Sequence, residues 1–237
     1  MNDVISVLVL TYNRRNIVSM CLPYIAEHLE KSNSEILIWD NGSTDGTLDW
    51  IFQFAHSNTK NKINVFFSEK NYGVEAINFL VDKTVGEYII KVDSDIIPPV
   101  QYDTRMLTAY IACAKENIAY LSWDIPWGHT SFAKRSGMKL YKGDRGTIVS
   151  VTPNTRVLCN YAPSKWMVNG ACRFSEKDVF TKLGSHPQGK RYEVDTYVSA
   201  QAEKAGYTCG FIDTHDKAQH ITQMDIMEKI YGKTSTT

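Results

Sequence analysis

The sequence predicts an α/β fold: a mostly parallel sheet with helices on both faces, built by the first half of the chain and joined to a less regular second half. Two observations predict it. Apolar runs of strand length alternate with segments whose apolar residues recur at helical spacing, through four strands before residue 100. Each run also stops at a polar turn. Thr11-Tyr12, Asp40, Asn71-Tyr72-Gly73 and Asp93-Ser94-Asp95 would therefore share the carboxyl edge of the sheet, where folds of this class bind ligands.

Ile5 to Leu10 is continuously apolar, as a parallel strand buried on both faces requires. After the turn at Thr11-Tyr12-Asn13, Ile17, Cys21, Tyr24, Ile25 and Leu29 recur at helical spacing, with Pro23 as a local kink. Glu35 to Trp39 reads as the second strand. The helix Leu48 to Phe52 follows, capped by Ser43, Thr44 or Asp45. Ile63 to Phe67 is the third strand, and Val74, Ile77, Leu80 and Val81 mark a third helix. Glu87 to Val92 is the fourth strand, rich in aromatic and β-branched residues, with Pro98-Pro99 ending it.

Further on, Tyr102 to Ala114 reads as a helix and Ile118 to Trp123 as a strand. The polar, basic stretch from Pro126 to Gly146 reads as a loop or hairpin excursion. Thr147–Thr152 and Arg156–Cys159 are short strands, and Val168 to Cys172 leads into a short helix, Glu176–Leu183. Asp195 begins a helix that ends at Ala205, with Gly206 as the left-handed residue beyond its end. Cys209 to Ile212 is the last strand, and the tail 229–237 is expected to fray.

A chain of 237 residues can bury one sizeable core, and a single domain over 1–237 is expected. Apolar residues make up 43% and charged residues 22%, the balance of a soluble globular protein. Lysine plus arginine equals aspartate plus glutamate, which argues against a broad nucleic-acid footprint. The five cysteines are scattered and form no CxxC pair. They read as reduced structural thiols of a cytosol-like compartment. Val4 to Leu10 lacks a basic leader and a cleavage site, and no apolar run is long enough to span a bilayer, so a cytoplasmic protein is expected.

The chemistry concentrates at Lys91-Val92-Asp93-Ser94-Asp95. Two carboxylates one residue apart at a strand tip can hold a hard divalent cation, which in turn can hold a diphosphate. An Asp-x-Asp alone is also a common solvated turn, and Asp40 alone also reads as a turn or capping aspartate. Asn71 and Gly73 fit a plain turn as well as a close backbone approach to a ligand. Lys134-Arg135, Lys139, Lys142 and Arg145, interleaved with Phe132 and Tyr141, fit a solvated loop better than a phosphorylated or nucleic-acid acceptor site. Trp123, Trp127 and Trp166 could stack on a sugar or fill the core.

Together, Val7 to Arg14, the block Asp40-Asn41-Gly42-Ser43-Thr44-Asp45-Gly46-Thr47, Asn71-Tyr72-Gly73, Asp93-Ser94-Asp95, Asn169-Gly170 and Asp195 with Ala205-Gly206-Tyr207 resemble the family 2 glycosyltransferases. The resemblance covers roughly residues 4 to 212 and leaves 124–160 unmatched. It implies a GT-A, Rossmann-like fold with a nucleotide-sugar half (1–100) and an acceptor half (101–225). The implied activity is transfer of a sugar from a nucleotide donor, with UDP expected, to a saccharide or other hydroxyl acceptor, with inversion and with Mn²⁺ or Mg²⁺.

By the same resemblance, Thr11, Tyr12 and Asn13 belong to the donor site, and Thr11 and Tyr12 line the nucleobase pocket. Asp40 accepts from the imide N–H of the base, while Asn71 and Gly73 let the backbone approach the nucleotide. Asp93 and Ser94 contact the donor, Asp95 ligates the metal, and His220 joins it, with His215 as the alternative. Asp195 is the general base; as the first residue of its helix it also fits an N-cap. The chain departs from the family pattern in having Glu193-Val194-Asp195 where Glu-Asp is usual, and Gln201 where an arginine is often found. Those departures raise the alternative of a non-catalytic nucleotide- or glycan-binding member. The basic loop raises another, a transferase acting on a hydroxylated nucleic-acid base. Any lipid-linked acceptor would be reached from the membrane surface.

Overall fold

A computed structural model describes residues 3–31, 33–123, 125, 141–162, 170–183 and 194–221. The first four strands and three helices follow the expected alternation: β1 (Ile5–Thr11), α1 (Arg15–Glu27), β2 (Glu35–Asp40), α2 (Thr47–Ser57), β3 (Lys62–Phe67), α3 (Ala76–Val81) and β4 (Tyr88–Asp93). Two residues past the tip of β4 lies a short strand, β5 (Ile96–Ile97). It corrects the expectation that Pro98-Pro99 ends the fourth strand: the chain turns at Ser94-Asp95, and the prolines follow β5 instead.

In the second half come α4 (Tyr102–Ala112), β6 (Ile118–Trp123), β7 (Tyr141–Thr152), β8 (Thr155–Ala162), β9 (Cys172–Glu176), α5 (Lys177–Leu183), α6 (Val194–Lys204), β10 (Thr208–Thr214) and β11 (Gln219–His220). Here the structure adds to the sequence reading. Residues 141–146, expected in a loop, are strand: β7 pairs with β8 at Tyr141 and Lys142 and again from Thr147, with a register shift between. Cys172–Glu176, expected only to lead into a helix, is a strand that enters the middle of the sheet.

The main sheet has the order β3-β2-β1-β4-β9-β6-β10-β8-β7. Among these nine strands all but β8 and β9 run in one direction. Burial on two faces explains the apolar runs. Along β1, Ile5, Val7 and Val9 pack with α1, α2 and α4 residues such as Val18, Ile51 and Met106. Leu8, between them, packs on the other face with Ile77 and Leu80 of α3 and Val198 of α6. Trp123 is fully buried in the first of these clusters, which assigns it to the core and not to a sugar platform. Gly206 takes φ +84 after α6 and lets Tyr207 N–H reach back to Ala202 O at 2.9 Å, the helix end expected from sequence.

The cysteines are free, and Cys113 Sγ and Cys159 Sγ stand 3.8 Å apart in the core. Burial, with the charge of Asp95 adding to it, pushes the Cys21 thiol up to about 12. Burial likewise carries Cys172 to about 12, against the opposing charge of Lys91. At pH 8 both thiols therefore stay protonated, and the reactive thiolate is scarce at these two positions. Native protein treated with iodoacetamide at pH 8 is expected to leave Cys21 and Cys172 unmodified, and urea-unfolded protein to modify both. Peptide mass mapping reads the difference.

Candidate functional site

Parallel register brings the strand ends level. Thr11 of β1 pairs with Asp40 of β2, and Leu10 with Asp93 of β4. The turns after β1 and β2 are then fastened to each other. Asn13 N–H donates to Ser43 Oγ (2.8 Å), Thr44 N–H to Asn13 Oδ1 (2.8 Å), Arg15 N–H to Asp45 Oδ2 (3.1 Å) and Arg14 N–H to Thr47 Oγ1 (3.2 Å). Asp45 also accepts from Thr47 N–H at 3.0 Å, so one carboxylate serves the first turns of both α1 and α2. Partial burial pushes that carboxyl up, but the hydrogen bonds from Thr47 and Arg15 prevail and hold it below the ordinary aspartate range.

The fastening places Arg14 over the turn that ends β4. Arg14 Nη1 donates to Asp95 Oδ2 at 2.8 Å. The Asp95 side chain is only 6% exposed, while that of Arg14 is 44% exposed. His220 Nε2 stands 4.0 Å from the other oxygen, Asp95 Oδ1. Backbone pairing explains that approach: β11 lies antiparallel to β5, with His220 opposite Ile96, and Ile221 N–H donates to Asp95 O at 2.9 Å. Ser94 is buried in the same turn. His215, the alternative histidine, is exposed in the bend before β11.

A second cluster adjoins the first. Lys91 Nζ pairs with Asp93 Oδ1 and donates to Gly170 O at 2.8 Å. Lost hydration raises the Asp93 carboxyl; Lys91 opposes the rise, and the charges of Asp95 and Asp195 add to it. Asp195, in the first turn of α6, lies against Gly170 so closely that a Cβ there would collide with its carboxylate, placing Cγ at 3.1 Å. Gly170 is thus required by close approach, whatever its backbone angles. A Gly170→Ala variant is expected to keep its circular dichroism spectrum and melting temperature within a few degrees. The Asp195 carboxylate must then rotate away from residue 170.

Nearer β2, the turn role weighed for Asp40 is filled. Its Oδ1 accepts from Gly42 N–H (3.1 Å) and Ser43 N–H (2.7 Å), and its Oδ2 from Ser43 Oγ (2.6 Å). The residue has no exposed surface. Asp40→Ala leaves two amides and a hydroxyl without that acceptor. The expected cost is roughly 3 kcal/mol of stability, read by urea denaturation. Asn71 Oδ1 accepts from Gly73 N–H at 2.7 Å, closing its own turn, and Asn41 ties that turn to β2 through Gly73 O (3.2 Å) and Tyr72 N–H (3.2 Å). Thr11 Oγ1 is buried with no hydrogen-bond partner, and Tyr12 beside it is exposed.

The structure therefore gathers Thr11, Tyr12, Asn13, Asp40, Asn71, Gly73, Asp93, Ser94, Asp95, Asp195 and His220 along one edge of the sheet. Arg14, Lys91 and Gly170 do the joining, and the sequence reading gave the two basic residues no role. Their signal was position alone, one closing the first motif and the other two residues before Asp93. Asn169, Glu193, Trp127, Trp166 and the basic residues 134–139 lie outside the described residues, as does the tail 229–237.

Residues 6–184 match the family model described as glycosyl transferase family 2. The chain belongs to that family. Over 113 residues it is 28% identical to a Methanococcus voltae protein, dolichyl N-acetyl-alpha-D-glucosaminyl phosphate 3-beta-D-2,3-diacetamido-2,3-dideoxy-beta-D-glucuronosyltransferase. That match takes in 47% of this chain and 35% of the relative. Among solved structures it resembles S. aureus TarS bound to UDP-GlcNAc, with a TM-score of 0.65 at 16% identity over 92% of this chain and 60% of that one. It also resembles the mannosyltransferase PcManGT of Pyrobaculum calidifontis bound to GDP-Man and Mn²⁺, with a TM-score of 0.60 at 18% identity over 86% of this chain and 53% of that one. These likenesses establish the GT-A fold. In each case this family 2 chain spans less than two thirds of the protein it matches.

Among the described residues, no group of three or more His, Cys, Asp or Glu side chains converges as a metal cage. Asp95 Oδ1 and His220 Nε2, 4.0 Å apart, could serve as two ligands. That suits a cation that takes one or two protein ligands and completes its shell with phosphate oxygens and water. The donor set therefore fits Mn²⁺ or Mg²⁺ carried on a diphosphate. No described helix is long and apolar enough to cross a membrane.

Proposed function

We propose that the chain transfers a sugar from a nucleotide donor, UDP-linked by preference, to a hydroxyl acceptor with inversion at the anomeric carbon. One observation carries the reading: Asp95, His220, Asp93 and Asp195 meet on the carboxyl edge of the parallel strands, joined through Lys91 and Gly170. When bound, a divalent cation held by Asp95 and His220 supplies Lewis-acid neutralisation of the departing diphosphate.

The chain's own residues do the rest. Thr11 and Tyr12 receive the base; the orphaned Thr11 hydroxyl supports this. For Asp40 to read the imide N–H, its Oδ2 must exchange the Ser43 hydroxyl for that donor. Asn71 and Gly73 border the nucleotide, and Asp93 and Ser94 contact its ribose and phosphates, with Lys91 fixing the Asp93 carboxylate. An Asp195 oxygen accepts the proton of the acceptor hydroxyl as that oxygen bonds to the anomeric carbon and the bond to the diphosphate breaks. A single displacement of this kind inverts the centre, and among the described residues the site offers one base and no second carboxylate assigned as nucleophile. The free thiols, buried at Cys21, Cys113, Cys159 and Cys172, fit a reducing, cytosol-like compartment.

Release of nucleoside diphosphate from UDP-sugars and GDP-mannose with Mn²⁺ tests the proposal. Wild type is expected to turn over at least one donor and Asp95→Ala none. Equal silence from both proteins across the panel would count against it.

A further inference from the structure

From the Arg14–Asp95 ion pair we infer that Arg14 is an exchangeable counter-ion. It neutralises Asp95 while no donor is bound and moves onto the diphosphate when the donor arrives. The inference rests on the proposed function and adds a residue and a binding order to it. A guanidinium stays charged at any accessible pH, so it cannot leave Asp95 Oδ2 by losing a proton. A cation shared by His220 Nε2 and Asp95 Oδ1 would stand on the same carboxylate, and repulsion between like charges would then press the guanidinium off Oδ2. The pair is built for such movement at one end only. Asp95 is sunk in a turn whose Asp95 O is held by Ile221 N–H, and the Arg14 side chain keeps 44% of its surface in solvent.

The Arg14 backbone is likewise fixed. Its N–H donates to Thr47 Oγ1, and its carbonyl accepts from Ile17 N–H (3.0 Å) and Val18 N–H (2.8 Å) in the first turn of α1. Only the side chain can swing. The distance required is short. Two oxygens bound at right angles to one cation, each at about 2.1 Å, lie about 3 Å apart. A phosphate oxygen sharing such a cation with Asp95 would lie within reach of the guanidinium. There the fork of Arg14 meets the group it is shaped to hold, and adds positive charge where the leaving diphosphate gains negative charge. Metal alone competes with Arg14 for Asp95; metal with nucleotide gives Arg14 somewhere better to go. The two ligands should bind with positive coupling.

Mn²⁺ binding followed by electron paramagnetic resonance, with and without UDP, tests this on wild type, Arg14→Met and Arg14→Lys. Arg14→Met is expected to bind Mn²⁺ alone about tenfold more tightly than wild type, and UDP in saturating Mn²⁺ about tenfold more weakly. The UDP-induced gain in Mn²⁺ affinity should shrink accordingly. Arg14→Lys keeps the charge on Asp95 and should return Mn²⁺ binding close to the wild-type value, which a purely structural defect would not do. Wild type that takes up Mn²⁺ and UDP, matched by Arg14→Met in both, overturns the role of Arg14 and leaves the transferase reading standing. Wild type that takes up neither overturns both.

Discussion

Asp195→Asn is expected to lower kcat by about 10² to 10⁴, the range that a positioned general base contributes, while UDP binding in Mn²⁺ stays near the wild-type value. Asparagine keeps the shape that packs against Gly170 and cannot take a proton from the acceptor hydroxyl. The separation of kcat from donor binding is the informative part. Asp195 reaches the donor cluster through Gly170, whose carbonyl accepts from Lys91. If UDP affinity fell as far as kcat, Asp195 would be supporting the donor site and not the acceptor proton. Isothermal calorimetry beside steady-state kinetics distinguishes the two.

Asp95→Asn should act on the other side of the reaction. Loss of the anionic ligand is expected to weaken Mn²⁺-dependent UDP binding at least about a hundredfold, beyond the 10- to 100-fold that partners outside the first coordination shell contribute. It also ends the charge pairing with Arg14, whose exposed side chain can be taken up by water, so the stability cost should stay small. A melting temperature within a few degrees of wild type, with UDP binding gone, is the expected pair of results. UDP binding that persists at wild-type strength in Asp95→Asn would move the metal elsewhere.

Much of this site can be read in the sequence because strand tips are local. β1, β2 and β4 announce themselves by continuous apolar runs, and parallel register makes their ends coincide; Asp40 and Asp93 needed no contact information to be placed on one edge. Gly206 was legible for the same reason, since a helix end is written within a few residues. What stayed hidden is non-local. β5 and β11 are two residues each and exist only because Ile96-Ile97 and Gln219-His220 meet across more than a hundred residues of chain. Cys172–Glu176 is too short and too close to a helical segment to declare itself a strand, and its place beside β4 comes from antiparallel pairing. Arg14 and Lys91 look like solvated charges until the turns they bridge are folded. The hydrogen bonds that occupy Asp40 likewise depend on the exact path of the 40–47 turn.

The position of β9 between β4 and β6 carries a consequence for biosynthesis. The first hundred residues leave the ribosome with β1 to β4 in order, but the free side of β4 stays bare until residue 172 and beyond has been made. The histidine near Asp95 arrives later still. A nascent chain halted before residue 172 would carry a glycosyltransferase's nucleotide loops on an open-edged sheet exposed to unwanted strand pairing. Splitting the gene at the apparent boundary near residue 100 should therefore yield a fragment that aggregates, and not one that binds nucleotide.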